Sequence, residues 1–352
     1  MRSQRGAMSG TGELVFENFT GTVRLGSESK QAEATLLLKN MEIALSGGVR
    51  VRPNPANETL LDPDTGAPLD EPIVCLLNQQ KATQKLQTLL VTETRLFKTC
   101  PGHPTNLKEI LLDGESAFPY GVKYVSAASY FGKVYLATGN HHLLRYDGAE
   151  LVDISADYEE DYRFPGCVVE HWGHLILSGF TDIKDTRAAS QIRIAGSEYD
   201  ISDTTTLMEF FEEIRTEDDQ SVLNMVSRPY GLYLFKGNSV TVMTGQDFVN
   251  FTDISKFQLP TTRGIAGPMA WCMGELGLYY ISYHGLQLVP DASPTRVIDV
   301  STPISEVWSH RARGSNWYLP SAKQGQLWRA TMAYDKERKQ VYCCFPMTGD
   351  PR

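Results

Sequence analysis

From about residue 85 onward, apolar positions in this chain gather into short runs separated by turn residues. The runs are "TLLVT" (88–92), "KVYLA" (133–137), "HLILS" (174–178), "LYLFK" (232–236), "LGLYYIS" (276–282) and "QVYCCF" (340–345). Each is rich in Val, Leu, Tyr or Phe, the composition of a β-strand. Anchored on Leu89, Val134, Leu175, Leu232, Leu278 and Val341, they recur 45, 41, 57, 46 and 63 residues apart. A second run usually follows at once: "RLFKT" (95–99), "LLRYD" (143–147), "QIRIA" (191–195), "SVTVMT" (239–244) and "LQLVP" (286–290). Gly139-Asn140, Gly237-Asn238 and His284-Gly285 supply joining turns. Endings of the type Asp153-Ile154-Ser155, Asp200-Ile201-Ser202, Asp253-Ile254-Ser255 and Ile298-Asp299-Val300-Ser301 come next.

A period of roughly 40–50 residues built on hairpins predicts an all-β fold, a β-propeller with one four-stranded sheet per repeat. A blade cannot hide both of its faces alone, so blades stack around an axis. Their middle strands are then covered on both sides and lose the in/out alternation of a half-exposed strand. "VYLA" and "LYLF" have this character. The count predicts six blades, within a range of five to seven.

The two long gaps require insertions. Residues 203–220, with Leu207, Met208, Phe210, Phe211 and Ile214 among acidic residues, read as a short helix or lid. Residues 303–324 place Ile304, Val307 and Trp308 at helical spacing. Phe210, Phe211 and Trp308 are therefore candidate partner contacts, with loops that cover the core as the equal alternative. Residues 1–34 are polar and Gly/Ser-rich and read as a flexible arm. Residues 35–84 form a lead-in with strands that close the propeller, followed by an exposed Pro/Asp/Asn-rich loop. Residues 85–345 form the propeller and 346–352 a tail. The chain stops after what reads as half a blade, so a segment within 35–53 is expected to complete the C-terminal blade. Arg50 and Arg52 alternate on one face of a strand in that segment and are further candidate contacts, with a protective edge-strand role as the plainer reading.

Composition narrows the function. Apolar residues are 41% and charged residues 21%, as in a globular protein with a real core. The net charge of −9 argues against coating nucleic acid through a general basic surface. No apolar stretch suggests a secretory signal or a membrane-spanning helix. Six scattered cysteines, with no CxxC, are expected as free thiols in a reducing compartment.

No GxSxG, HExxH, GxxxxGK[ST] or GxGxxG occurs. His171 and His174, read on one strand, point to opposite faces and do not suggest a metal site. "DPDTG" (62–66) starts like a calcium loop but reads as a turn, and Asp157, Glu159, Glu160 and Asp161 as a solvated acidic loop. No catalytic, cofactor-binding or metal-ligating residue is assigned, and no cofactor is expected.

In order along the chain, "LLLKNMEIALSGGVRVRP", "QIRIAGSEYDISD", "GIAGPMAWCMGELGLYYISYHGLQLV" with "VIDVSTPISEVW", and "ATMAYDKERKQVYCCFP" resemble the successive motifs of tailed-bacteriophage virion propellers. The serine such motifs carry after the proline is replaced by Met269-Ala270. The resemblance implies a non-enzymatic virion protein of the nozzle, hub or head–tail junction type, made in the host cytoplasm. It implies a homo-oligomeric ring through which DNA passes without specific binding, with portal, adaptor or tail proteins as neighbours. The acidic balance would discourage DNA from adhering if those charges line a channel. The alternative is a glycan- or receptor-binding propeller that contacts the host surface.

Overall fold

The computed structural model describes residues 41–43, 49–51, 60–63, 66–67, 69–79, 87–100, 103–156, 158–181, 183–197, 211–214, 220–245, 253–301, 321–322, 324–336 and 339–348. They divide into two compact units. The smaller comprises residues 1–58, 301–323 and 347–352. Its described part is two short antiparallel pairs. β1 (Met41–Ile43) pairs with β2 (Val49–Val51), which sets Glu42 opposite Arg50. Ser321–Ala322 pairs with Met347–Thr348.

The larger unit, residues 59–300 and 324–346, is an all-β propeller with five four-stranded blades. Blade one is β3 (Ile73–Gln79), β4 (Gln87–Thr92), β5 (Leu96–Cys100) and β6 (His103–Ile110). Blade two is β7 (Ser126–Tyr130), β8 (Lys133–Ala137), β9 (Leu144–Tyr146) and β10 (Leu151–Asp153). Blade three is β11 (Cys167–His171), β12 (His174–Ser178), β13 (Gln191–Ser197) and β14 (Phe211–Glu213). Blade four is β15 (Asn224–Arg228), β16 (Gly231–Phe235), β17 (Val240–Gly245) and β18 (Ile254–Gln258). Blade five is β19 (Trp271–Gly274), β20 (Gly277–Ser282), β21 (Gly285–Pro290) and β22 (Ile298–Asp299).

Each blade is an antiparallel meander whose strands lie in chain order. The first strand is innermost, since β11 packs beside both β7 and β15. After β23 (Ser321–Ala322), a hairpin of β24 (Thr331–Asp335) and β25 (Gln340–Cys344) packs against β19. Among the described residues this sheet has two strands, so five complete blades stand where six were expected.

The apolar runs recognised in the sequence are the second and third strands of each blade. Ahead of each second strand lies a first strand, and blade one accordingly starts at Ile73, upstream of residue 85. Blade stacking explains the unbroken hydrophobicity of "KVYLA". Val134 and Leu136 face the core shared with blade one, while Tyr135 and Ala137 face the core shared with blade three. β12 repeats the device: Leu175 and Leu177 face blade two, and Ile176 faces blade four. Fully burying one such side chain stabilises the fold by about 1.5–3 kcal/mol.

The helix or lid expected over 203–220 is not what its described part forms. Phe211–Glu213 is the fourth strand of blade three, paired with Gln191–Arg193. Strand pairing and the Arg193 guanidinium, 4.8 Å from the Phe211 ring, override the local helical signal. Among the described residues there is no α-helix, and no helix long and apolar enough to cross a membrane.

Trp328 joins segments distant in the chain. Lys123, just before β7, sets its Nζ 5.6 Å from the ring of Trp328, just before β24. Gly267, ahead of β19, lies against the Trp328 backbone, where an added Cβ would come within 2.2 Å of its carbonyl oxygen. Trp328→Ala removes this cation–π contact and part of the indole packing. It is expected to cost about 1–2 kcal/mol, read by urea denaturation, and an unchanged midpoint would show the contact to be idle.

Candidate interaction surface

Antiparallel meanders place the turn between the first and second strands, and that between the third and fourth, at one end of every blade. Four of the former are two-residue turns fixed by strand register. Tyr130 pairs with Lys133 around Phe131-Gly132, and His171 with His174 around Trp172-Gly173. Arg228 pairs with Gly231 around Pro229-Tyr230, and Gly274 with Gly277 around Glu275-Leu276. Every one of these turns carries a large apolar side chain at its tip. Phe131, Trp172, Tyr230 and Leu276 are exposed by 54%, 41%, 41% and 62%. Because the turns follow the innermost strands of consecutive blades, the four tips form an arc at one end of the propeller.

Turn chemistry does not require these residues. Phe131 and Trp172 hold φ of 46° and 47°, followed by Gly132 and Gly173 at 73° and 79°. Turns with two left-handed residues favour Asn-Gly or Asp-Gly, and bulky side chains there are strained. The chain uses the ordinary solution elsewhere, at Asp113-Gly114, with φ of 52° and 87°. Partial packing accompanies the tips: Phe131 lies edge-on to Tyr130 at 4.6 Å, Trp172 stacks on His171 at 5.0 Å, and Tyr230 meets Phe257 at 6.4 Å. A repeated row of half-exposed apolar side chains, two of them in a costly backbone conformation, makes this end a candidate contact surface.

Several of the charged groups described beside the tips are engaged within the chain. The Lys339 ammonium reaches Glu275 at 2.9 Å, and buried Arg228 binds Asp291 and the Val289 carbonyl. Glu170 accepts the Gly173 N–H at 2.9 Å, and Asp147 accepts those of Ala149 and Glu150. Among the described side chains of the innermost strands, the exposed ones are neutral: Ile73, Leu76, Ser129, Met273, Thr331 and Ala333.

Of the candidate contact residues singled out in the sequence, the structure describes two. Arg50 lies in β2, and Phe211 stands on the outermost strand of blade three, 46% exposed, away from the tips. Arg52, Phe210 and Trp308 fall outside the described residues. His171 and His174 are not on one strand with opposed faces. The intervening turn places them directly across a hairpin, so they share a face. His171 Nδ1 is 2.9 Å from Ser227 Oγ, and His174 Nδ1 is 2.9 Å from the Trp172 carbonyl. Asp62 closes a turn by accepting the Gly66 N–H, and its carboxylate holds Arg95 at 2.6 Å. Arg95 also binds Glu71, whose carboxyl is held below its usual range, against the cost of burial, by bonds from Thr92 and Thr94 and by the Arg95 charge. A cavity of about 370 Å³ between the outer strands of blades three and four is lined by Glu212, Glu213, Ile214, Thr241, Lys256 and neighbours, and its lysine is paired with Glu212.

No family model matches the chain, and no curated protein does. Solved structures resemble it at low identity. The BBS1 N-terminal domain in complex with ARL6 is 13% identical over 66% of this chain and 70% of its own, with a TM-score of 0.39. PorZ, a surface component of the type-IX secretion system of Porphyromonas gingivalis, is 10% identical over 68% of this chain and 28% of its own, with a TM-score of 0.40. YCF48 bound to the D1 peptide is 12% identical over 65% and 66%, with a TM-score of 0.38. The class defined by the fold is the β-propeller.

Proposed function

We propose that this protein is a non-enzymatic building block of a tailed-bacteriophage virion, contributing a ring to the tail or head–tail region through which DNA passes. The carrying observation is the arc of Phe131, Trp172, Tyr230 and Leu276, which repeats one apolar contact on consecutive rigid blades. Such an arc suits a lasting protein–protein contact better than a small ligand, which needs a concave pocket. The ordered motif resemblance supplies the virion context. In the same proposal the β24–β25 hairpin is the inner half of a sixth blade, which fits its position beside β19.

Native mass spectrometry of the purified chain beside intact particles tests the reading. A ring of about six or twelve copies retained with portal or tail proteins is expected, because rotational symmetry limits the copies a tail accepts. Absence of the chain from particles would overturn it. DNA should pass assembled rings without retention at low salt, and tight low-salt binding would contradict the passage role.

A further inference from the structure

We propose that Cys272 and Cys343 form a redox site, a thiol pair that closes to a disulfide in an oxidising medium and ties blade five to the β24–β25 hairpin. The site stands on the junction between these two sheets and is independent of the virion reading. Cys272 lies on β19 and Cys343 on β25, and β19 packs against both strands of the hairpin. Register fixes which way each thiol points. Cys272 pairs with Tyr279 and Cys343 with Met332, and directly paired residues share a face of their sheet. Alternation along the strands puts Gly274 on the face of Cys272, and Tyr334 on the face of Met332 and Cys343. Those two faces meet: a Cβ at Gly274 would stand 2.7 Å from the Tyr279 ring and 3.4 Å from the Tyr334 ring. The Met332 N–H also donates to the Met269 carbonyl at 3.2 Å, which sets β24 beside the approach to β19. The two thiols therefore enter one layer from facing sheets.

Both cysteines are free thiols in the structure. Burial pushes Cys272 up to about 11, and burial with the neighbouring Cys272 and Cys344 sulfurs pushes Cys343 up to about 12. Thiolate is scarce near neutral pH, so the pair closes slowly. The oxidant is a small-molecule disulfide. The thiolate of half-buried Cys343 attacks it, forming a mixed disulfide and releasing one small thiol. The Cys272 thiolate then attacks the Cys343 sulfur and releases the second. One protein S–S bond replaces that of the oxidant, and the two cysteine protons end on the two released thiols. The other cysteines placed by the structure lack this geometry. Cys344 is exposed and, as the next residue along the strand, points to the opposite face. Cys75 packs between blades one and two, and Cys167 between blades three and four. A tie is most effective at this junction. The second strands of blades three and four are buried throughout, whereas every residue of β25 is at least partly exposed. The hairpin is thus held by less packing than those blades, and a covalent link between positions distant in the chain constrains it.

Incubation of the full chain with oxidised glutathione at mildly alkaline pH, followed by alkylation in denaturant and peptide mapping by mass spectrometry, tests the site. Incubation continues until exposed Cys344 carries a glutathione adduct, which shows that the oxidant has acted. The expected product is a pair of peptides joined through Cys272 and Cys343, about 2 Da lighter than the two reduced peptides together. Dithiothreitol should reverse the link, and the linked chain should melt at a higher temperature than the reduced one. Cys272→Ser and Cys343→Ser should each abolish the link, while Cys344→Ser should leave it in place. An unlinked Cys272–Cys343 pair beside a modified Cys344 overturns the proposal. So does a bond between Cys343 and Cys344, or a Cys272–Cys343 bond that forms only in denaturant.

Discussion

Gly264→Ala is expected to destabilise the propeller by about 3 kcal/mol or more, beyond the usual overpacking penalty, because the obstruction is backbone rather than a side chain that can swing away. A Cβ at Gly264 would stand 1.9 Å from the Lys236 carbonyl oxygen and 2.7 Å from both the Gly237 carbon and the Ser239 nitrogen. Those atoms form the turn between β16 and β17, pinned by the Lys236 N–H to the Ser239 carbonyl at 3.0 Å. The Ile265 N–H donates to the same Lys236 carbonyl at 2.9 Å. Relief therefore requires breaking a buried bond, worth about 0.5–1.5 kcal/mol, or moving the turn. Moving it disturbs Lys236, which is almost wholly buried and donates from Nζ to the Ile214 carbonyl at 2.9 Å. One methyl group thus strains the junction of blades three, four and five. Gly325→Ala is the control, since nothing lies within 4 Å of its added Cβ, and it should stay within about 0.5 kcal/mol of the parent. Urea unfolding of both variants reads the difference, and equal midpoints would mean that the blade junction yields without cost.

What could be read from the sequence follows from which surfaces each strand buries. Second and third strands are covered by neighbouring blades on both faces, so "KVYLA", "HLILS" and "SVTVMT" announce themselves as apolar runs. First strands such as "SAASY" and "NMVSR" have one edge toward the axis and carry small or polar residues, which weakens the signal. Fourth strands of two or three residues, such as Phe211–Glu213 and Ile298–Asp299, are too short for a period to show. Their pairing is decided by contacts distant in sequence, and for that reason the helical pattern around Phe211 misled.

The contact surface escaped for a related reason. Turns are sought as Asn-Gly or Asp-Gly, so Phe131-Gly132 and Trp172-Gly173 read as strand flanks. A bulky apolar residue followed by glycine, ahead of each second strand in four consecutive repeats, was the available signal. Without the first strands in place, nothing identified those pairs as turn tips. Conversely, the sequence drew attention to His171 and His174 without revealing the hairpin that sets them face to face.

That hairpin makes acid sensitivity the second large effect. His171 is wholly buried where β11 meets β15, with Nδ1 on Ser227 and its ring stacked on Trp172. Burial, with a smaller contribution from His174 across the turn, lowers its pKa from the ordinary 6.5 to about 4. In the native state the imidazole is neutral down to that value, whereas in the unfolded chain it takes a proton below 6.5. The unfolded state therefore binds more protons between these limits, and stability falls as pH falls from about 6.5 toward 4. At 1.36 kcal/mol per pKa unit, the loss attributable to this one residue approaches about 3 kcal/mol. His171→Gln keeps a polar group facing Ser227 but cannot titrate. The two proteins are compared by slope, because the substitution also changes the packing at neutral pH. Urea unfolding at pH 7, 6, 5 and 4.5 should give a steeper acid decline for the parent than for His171→Gln, and parallel curves would assign the acid sensitivity to other groups.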